Sequence, residues 1–371
     1  MSESANLLEL VQAQLDQFCE QQRTEFEAIS PDLLPLVDYS KDLMSGGKRF
    51  RALFTYWSWV GALSVAEPQQ SSEQLQASSE AMIGITAALE MFHAAALVHD
   101  DLLDQSDTRR GAPSVHKRFE SLHSHSGWAG SPQRFGMAGS VLVGDLLLSW
   151  SSEIFGRALQ GAPSREIELA CRDEFSKMRT EVMAGQYLDV LEENAALTRP
   201  LEEAVGRANR VMLYKTAKYS IEAPMLIGAA FAGADSGLLR GLSAFAIPLG
   251  MAFQMRDDIL GVFGDPAVTG KPAGDDLREG KRTVLVGLTR ETLKPSVAAV
   301  FDEMLTSREL NEEQIKFLQQ TIIGCGALAK AERMIDELAD QCFEALSLLD
   351  ISEPARDQLR GLAQKVIKRD A

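Results

Sequence analysis

The sequence predicts an all-α fold, and three observations support this prediction. Apolar residues recur at helical spacing, as at Leu7, Val11, Leu15 and Phe18. No stretch shows the apolar–polar alternation that is typical of a half-buried strand. The chain has 371 residues, 45% of them hydrophobic, which is enough to bury the core of one large helical domain. We therefore expect residues 1–371 to form a single all-helical domain.

Helix-starting and helix-breaking residues divide the chain into its elements. Ser30 and Pro31 start a helix as its cap and first-turn residue, and Gly46 and Gly47 open another. The acidic segment described below is expected at the end of a long helix that begins near Glu80. The remaining expectations are a polar linker at 64–79, loops at 121–133 and 264–280, helices at about 136–159, 165–193, 200–214, 217–232 and 238–260, and a helical tail.

The charge of the chain excludes some classes of partner. The net charge is −16 and the isoelectric point is near 4.9. Nucleic acid requires a basic surface, and anionic lipid attracts basic segments, so neither is expected as a partner. The longest apolar runs fall short of the roughly 20 residues that a membrane span needs. We therefore expect small-molecule substrates and no membrane span.

The cysteines and the N-terminal segment predict a cytoplasmic protein. The chain has four cysteines, whose spacing fits neither a zinc site nor a CxxC motif: Cys19, Cys171, Cys325 and Cys342. Reduced thiols in helical segments are typical of a reducing compartment. The N-terminal segment has neither a basic start nor the long apolar stretch of a secretory signal.

The most informative segment is VHDDLLDQSDTRRG, at 98–111. Asp100 and Asp104 lie one helical turn apart, and Asp101 and Asp104 are three residues apart, so the carboxylates converge on one side. At about 4 Å and an effective dielectric of about 20, each like-charged pair costs roughly 4 kcal/mol, so a bound cation is expected. Oxygen ligands suit Mg²⁺, and the forks of Arg109 and Arg110 suit phosphate. The segment predicts a Mg²⁺–diphosphate site.

A second acidic cluster predicts a partner for the first. Asp257 and Asp258 end an apolar helix about 150 residues further along the chain. Two acidic helix ends that face each other across a cavity could be bridged by metal-bound phosphate. The alternative is a solvated acidic surface, but both clusters follow strongly apolar stretches, which solvated surfaces seldom do.

These clusters belong to an ordered set of motifs that resembles the trans-isoprenyl diphosphate synthases, the polyprenyl synthetase family. The resemblance implies a large helical bundle around a deep central cavity, and a homodimer. The matching segments are GGKRFR at 46–51, HAAALVHDD at 93–101, RRGAPSVH at 109–116, GQYLD at 185–189, Lys215-Thr216, FQMRDD at 253–258 and GKPAGDDLREGKRT at 270–283.

The resemblance implies a Mg²⁺-dependent prenyltransferase that joins allylic diphosphates to isopentenyl diphosphate. Three Mg²⁺ ions per active site are expected. The implied metal ligands are Asp100, Asp104 and Asp257, while Asp101 and Asp258 would act through water.

The resemblance also implies two separate diphosphate pockets. His93 alone would be interpreted as a core histidine, but beside the aspartates and the arginine pair it is expected to bind substrate. The implied isopentenyl diphosphate ligands are Lys48, Arg51, His93 and Arg110. The implied allylic diphosphate ligands are Arg109, Lys215, Thr216, Gln254, Lys271 and Lys281, with Gln186 and Asp189 as a polar patch beside them.

One position departs from the family pattern. The second motif usually ends in aspartate, and this chain has Gly261 there. We expect activity to survive, with altered ordering of one metal ion, and Asp265 is a candidate to compensate through water.

Chain length is predicted from the helix that precedes the first motif. Ala95 and Ala96 replace the aromatic residue that farnesyl synthases of the family tend to carry, and Phe92 lies one turn deeper as a candidate floor. This pattern favours geranylgeranyl diphosphate as product, with farnesyl or longer polyprenyl diphosphates as alternatives. A terpene cyclase or squalene synthase would not need GGKRFR. A regulatory subunit of a heteromeric synthase would lose aspartates or basic ligands, and Gly261 is the only sign of that.

Overall fold

The computed structural model describes residues 3–66, 72–265, 273–307 and 309–368. Helices dominate this part of the chain, as predicted. They are α1 Glu3–Ile29, α2 Leu34–Leu43, α3 Phe50–Ala66, α4 Ser72–Leu103, α5 Val115–His125, α6 Pro132–Ala158, α7 Arg165–Ala195, α8 Ala204–Val211, α9 Ala223–Phe231, α10 Ser236–Phe263, α11 Asp275–Arg278, α12 Val284–Thr292, α13 Pro295–Thr306, α14 Glu312–Gly324, α15 Ala327–Leu348 and α16 Glu353–Ile367.

A short hairpin between α4 and α5 is the exception. Strand β1 (Thr108–Arg109) pairs with β2 (Ala112–Pro113) in antiparallel register. The turn residues Arg110 and Gly111 have φ angles of 53° and 75°, the left-handed backbone that a tight hairpin turn requires. Two-residue strands are too short to show an alternating pattern, so the sequence did not predict them.

The predicted linker at 64–79 is wrong at both ends. Helix α3 continues to Ala66, and α4 already begins at Ser72, eight residues before the predicted start at Glu80. The serine, glutamine and glutamate residues that were interpreted as a linker have moderate to good helix propensity. Residues 67–71 lie outside the described part of the chain.

The core is built around α4. This helix packs against α6 along its length and against α1 and α3. Its residues Met82, Ile85, Leu89 and Phe92 are fully or almost fully buried, which is typical of a helix surrounded by other helices. Segments Glu73–Leu103 and Ser236–Phe263 are each long and apolar enough to cross a membrane, but 78% of the apolar window of the first is buried inside the bundle.

A π-helical segment, Met212–Glu222, joins α8 to α9 and carries Lys215 and Thr216. The sequence predicted a break between helices here; the backbone instead continues with a wider turn. Such π segments are frequent at functional sites. Gly185 of α7 lets this segment approach closely, because a Cβ atom there would lie 2.4 Å from the backbone nitrogen of Lys215. The fold thereby brings α4, α7 and the π segment together.

Candidate active site

Asp100, near the end of α4, lies among cations. Its Oδ1 atom accepts hydrogen bonds from Lys215 Nζ at 2.9 Å and from Gln186 Nε2 at 3.2 Å. Arg109 Nη2 is 3.7 Å from its other oxygen. Burial alone would raise the pKa of Asp100, but Lys215, Lys281 and Arg109 together hold it well below its ordinary value. The carboxylate is therefore ionised and ready to bind a cation.

The pKa of Asp104, one turn further along, is shifted in the opposite direction. Lys281 Nζ lies 3.2 Å from its Oδ2 atom. Burial raises the pKa of Asp104, and the nearby Asp100 carboxylate adds to the rise, while Lys281 opposes it. Two neighbouring carboxylates with unequal proton affinity are the expected result of like charges placed one helical turn apart.

Asp101 points to the hairpin instead. Arg109 Nε donates to its Oδ1 atom at 2.8 Å, and Arg109 Nη2 donates to the same oxygen. The Asp101 side chain is almost fully buried, and burial opposes the charge on Arg109, but its bond to Asp101 raises the pKa of Arg109 above its ordinary value. The pair fixes the hairpin against the end of α4, which keeps Arg109 beside Asp100 and Asp101.

Lys215 connects the first motif to α7. Its ammonium group also contacts Asp189 Oδ2 at 2.5 Å, which agrees with the predicted polar patch formed by Gln186 and Asp189. Next to it, Thr216 Oγ1 donates to Gln254 Oε1 at 2.7 Å, and Gln254 Nε2 donates to Asp258 Oδ1 at 2.8 Å. A hydrogen-bonded chain thus runs from the π segment to the second motif.

The buried aspartate of the second motif has surroundings that favour its neutral form. Asp258 is 7% exposed, and burial, together with the charges of Asp276 and Asp257, raises its pKa well above the ordinary value. Asp257, in contrast, is exposed. Burial thus separates the two aspartates, and the roles predicted for them toward metal stay predictions. At the last position of the second motif, where the family usually has aspartate, Gly261 provides no carboxylate.

A second group of basic residues surrounds Gly46 and Gly47, whose φ angles are 74° and 93°. Lys48 is exposed beside them. Arg110 reaches this turn from the hairpin, with Nη1 3.4 Å from the carbonyl oxygens of Leu43 and Ser45. A Cβ atom at Gly47 would lie 3.1 Å from the Arg110 guanidinium. The absence of a side chain at Gly47 therefore leaves space for this guanidinium group.

Arg51, His93 and Tyr219 form a compact unit of three contacting side chains. The Arg51 guanidinium carbon lies 4.5 Å from the centre of the Tyr219 ring, and Arg51 Nη2 donates to Ser220 Oγ at 2.6 Å. His93 Nδ1 is 2.6 Å from the Tyr219 hydroxyl oxygen. Burial and then the charge of Arg51 hold the pKa of His93 well below its ordinary value, so the ring is neutral. His93 can therefore donate a hydrogen bond but carries no charge.

Sequence analysis missed two residues of this region. Tyr219 lies four residues after Lys215, and a polar aromatic residue one helical turn from a phosphate ligand is a weak signal that could have found it. Glu193 lies one turn after Asp189, and burial, together with the charges of Asp104 and Asp189, raises its pKa to about 7. Its position follows from the continuation of α7, which the sequence did predict.

The predicted chain-length residues differ from one another in burial. Phe92 is fully buried, with its ring centre 6.1 Å from that of Phe175 and 6.0 Å from that of Tyr219. Ala95 is also fully buried, whereas Ala96 is partly accessible. The two alanines therefore differ in their access to solvent. Lys271 lies outside the described residues.

The donors of this site fit Mg²⁺. Asp100, Asp104 and Asp257 offer only oxygen atoms, which this ion prefers. In the described residues no three carboxylates already converge as a metal cage. Lysines instead contact the first-motif aspartates. Because Mg²⁺ is usually held by one or two carboxylates plus substrate phosphates, the arrangement suits metal that binds together with a diphosphate.

Comparisons with known proteins agree with this geometry. A model of the polyprenyl synthetase family matches residues 35–322. A geranylgeranyl diphosphate synthase from Sulfolobus acidocaldarius is 33% identical over 92% of this chain and 93% of its own length. Component 2 of a heptaprenyl diphosphate synthase from Geobacillus stearothermophilus is 31% identical over 92% of each chain.

A solved structure gives the same result. The geranylgeranyl pyrophosphate synthase from Corynebacterium glutamicum, complexed with isoprenyl diphosphate and magnesium, has a TM-score of 0.89 and 36% identity, covering 98% of this chain and 99% of its own. The family model covers well over half of the chain, and the fold and the ordered motifs agree with it. The chain therefore belongs to the polyprenyl synthetase family and is a trans-prenyltransferase that resembles the geranylgeranyl diphosphate synthases.

Proposed function

We propose that this chain joins allylic diphosphates to isopentenyl diphosphate and that its main product is geranylgeranyl diphosphate. The observation that carries the proposal is the presence of two chemically different cationic groups. Arg109, Lys215 and Lys281 contact the aspartates of the first motif. Arg51 and Arg110 contact neutral hydroxyl and carbonyl oxygens instead. One pocket suits a metal-bound diphosphate, and the other suits a diphosphate without metal.

The allylic diphosphate is assigned to the first pocket. Mg²⁺ held by Asp100, Asp104 and Asp257, with three ions expected, would supply the positive charge that stabilises the departing diphosphate. Lys215, Lys281 and Arg109 would hold diphosphate oxygens, and Gln254, positioned by Thr216, would face the same group. Lys271 is assigned to this pocket on the family resemblance. Asp101 and Asp258 would act through neighbouring groups.

Isopentenyl diphosphate is assigned to the second pocket, with Lys48, Arg51 and Arg110 as its cationic ligands. His93 is neutral and would donate a hydrogen bond. The family resemblance supports the released diphosphate as the proton acceptor. The apolar side of α4 would keep water away from the allylic cation, which water would otherwise capture.

Product length is assigned to the accessible side of α4. Ala96 is partly accessible, so a larger side chain there would occupy open space, whereas Ala95 is enclosed. Phe92, fixed between Phe175 and Tyr219, would be the floor. Ala96→Phe should shorten the pocket by about one helical turn, roughly 5 Å, and shift the product towards farnesyl diphosphate. Ala95→Phe should instead overpack the core, at a cost of about 1–3 kcal/mol in folding free energy.

The assembly is proposed to be a cytoplasmic homodimer. The family resemblance supports a dimer, and α6 and α7 expose large apolar side chains, a feature of interaction surfaces. These side chains are Met137, Val141, Leu142, Leu169, Met183 and Tyr187. Light scattering of the purified protein should give twice the chain mass.

One assay tests the function directly. The purified protein is supplied with Mg²⁺, labelled isopentenyl diphosphate and each allylic primer in turn, and product length is read by chromatography. Geranylgeranyl diphosphate as the main product is expected. Product that ends at farnesyl or extends to longer chains would refute the length assignment. Absence of any condensation would refute the function.

A further inference from the structure

The space beside Gly261 is occupied by a carboxylate from another element. A Cβ atom built on Gly261 would lie 2.1 Å from Asp276 Oδ2, 2.3 Å from Asp276 Cγ and 2.7 Å from Asp276 Oδ1. Asp276 lies in α11, which packs against α10. Any side chain at position 261 would therefore compete with the carboxylate of Asp276 for the same space.

The position of this carboxylate is the one a motif aspartate would take. In an aspartate the carboxyl carbon lies one carbon–carbon bond, about 1.5 Å, from Cβ. The carboxyl carbon of Asp276 lies 2.3 Å from the Cβ position of Gly261. Chain direction differs, but the charged group occupies nearly the same volume. The three atoms nearest to this Cβ position all belong to Asp276, and none belongs to Asp265.

Asp276 also acts electrostatically on both motifs. Its Oδ1 atom is 4.0 Å from Lys281 Nζ, and the same ammonium group contacts Asp104 of the first motif. Its charge also bears on Asp258 of the second motif. The carboxylate thus lies between the two aspartate motifs, where a metal-bound diphosphate would be placed.

We propose that Asp276 supplies the carboxylate that the second motif lacks at Gly261, and that Gly261 is glycine in order to admit it. The proposal rests on the proposed function, because it concerns the binding of metal and diphosphate by the same site. It assigns Asp276 to the positioning of the metal ion on the second-motif side. It also means that Gly261 does not mark a weakened or regulatory subunit.

The test measures metal binding rather than turnover. Binding of Mn²⁺, which accepts the same oxygen ligands as Mg²⁺, is followed by electron paramagnetic resonance in the presence of inorganic pyrophosphate. Asp276→Ala should raise the Kd of Mn²⁺ by about 10- to 100-fold, as the loss of a supporting carboxylate does. Asp276→Asn, which keeps the side-chain shape, should do the same if the alanine variant folds poorly. Asp275→Ala, at the neighbouring position of α11, is the matched control and should bind like wild type.

Gly261→Ala tests whether the missing side chain at position 261 is what admits the Asp276 carboxylate. The added methyl group meets only the end of a flexible side chain, so the fold should survive while the Asp276 carboxylate is displaced and Mn²⁺ binding weakens. Gly156→Ala is its control, because Gly156 also lies in a helix and a Cβ atom there meets nothing within 4 Å. Circular dichroism melting should show that all these variants fold.

The exchange variant decides the proposal. Gly261→Asp combined with Asp276→Ala returns a carboxylate to the same volume from the other helix, and should restore the Kd of Mn²⁺ to within about threefold of wild type, or roughly 0.7 kcal/mol. The proposal is overturned if Asp276→Ala binds Mn²⁺ like wild type, if Gly261→Ala does so, or if the exchange variant binds no better than Asp276→Ala. Wild-type condensation of isopentenyl diphosphate is measured in parallel: its absence refutes the proposed function, whereas its presence with unchanged Mn²⁺ binding in Asp276→Ala refutes only this inference.

Discussion

The two aspartate motifs begin with the same pair of residues but have opposite surroundings. In the first, Asp100 and Asp101 each contact a cation, and α4 presents them to Lys215 and Arg109. In the second, Asp258 is hydrogen-bonded to the neutral amide of Gln254, and Asp257 is exposed. The first motif is paired with cations, while burial and nearby carboxylates raise the pKa of the buried aspartate of the second.

The difference teaches that a motif does not specify the protonation of its members. Burial raises the pKa of a carboxyl group unless opposite charge lies within a few ångströms. Asp100 has three cations near it, and its pKa falls; Asp258 has carboxylates near it, and its pKa rises. The two motifs therefore differ in the direction of the pKa shift of a buried aspartate.

The largest effect is expected from Asp100→Ala. The substitution removes a metal ligand and leaves Lys215 without one of its two carboxylate partners. Turnover with Mg²⁺ and both diphosphate substrates should fall by about a thousandfold or more. Steady-state rates at saturating substrate give the measurement. The turnover of Asp257→Ala should fall nearly as far, because this substitution removes the proposed direct metal ligand of the second motif.

Asp107→Ala is the control for this experiment. Asp107 follows the same helix, but its side chain is 70% exposed and contacts Lys117 rather than the site. It should retain wild-type turnover. If Asp100→Ala kept more than about a tenth of the activity, the lost stabilisation would be roughly 1.4 kcal/mol or less and the assignment of the metal ligand would be wrong.

The next largest effect is expected on the KM values of the two substrates, which are assigned to two different cationic groups. Arg51→Ala or Lys48→Ala should raise the KM of isopentenyl diphosphate by about 10- to 100-fold, because a charge-assisted contact worth about 1.5–3 kcal/mol is lost. The KM of the allylic primer should change much less. Lys215→Ala should show the reverse pattern, and so should Lys271→Ala. Equal changes in both constants in all these variants would contradict the division into two pockets.

A smaller effect is expected when the second aspartate of each motif is substituted and the free energy of unfolding is measured. Asp101→Asn removes the charge that is paired with Arg109, so the unfolding free energy should fall by about 1–3 kcal/mol. At pH 4, Asp258→Asn keeps the hydrogen bond to Gln254 and resembles the neutral form that burial favours, so it should be within about 0.5 kcal/mol of wild type. Urea unfolding of both variants gives the comparison. Equal destabilisation of the two would show that their surroundings do not differ as described.

Sequence reasoning predicted the all-α fold, and the ordered motifs assigned Lys215, Thr216 and Gln254 to one group of ligands. The contacts of Lys215 with Asp100 and of Thr216 with Gln254 come from the structure. Sequence reasoning could not predict the filling of Gly261 by Asp276, because that contact depends on the distance between two helices and not on either motif. It also missed Tyr219, since the position of its ring follows from the π-helical segment, which local propensity does not reveal. The start of α4 at Ser72 was missed because a polar composition fits a helix and a linker equally well.

The smallest effect concerns the pH dependence of stability, where the two motifs should behave in opposite ways. The folded-state pKa of Asp258 is raised above its unfolded value of about 3.9, so the folded state binds the proton more tightly. The stability that this group contributes is present below about pH 4 and is lost as the pH rises towards the folded-state pKa. Asp258→Asn should therefore gain melting temperature relative to wild type as the pH increases from 4 to 8.

The contribution of Asp100 to stability depends on pH in the opposite direction. Its folded-state pKa is lowered, so its contribution is present above about pH 4 and is lost only as the pH falls through the folded-state value. The difference in melting temperature between wild type and Asp100→Asn should thus stay constant from pH 4 to 8 and shrink only in stronger acid. Calorimetric scans of both variants at matched ionic strength provide the measurement, since screening acts on the two sites alike. A constant difference for Asp258→Asn across this range would mean that Asp258 is ionised in the folded protein, and the contrast between the motifs would then reduce to their cation partners alone.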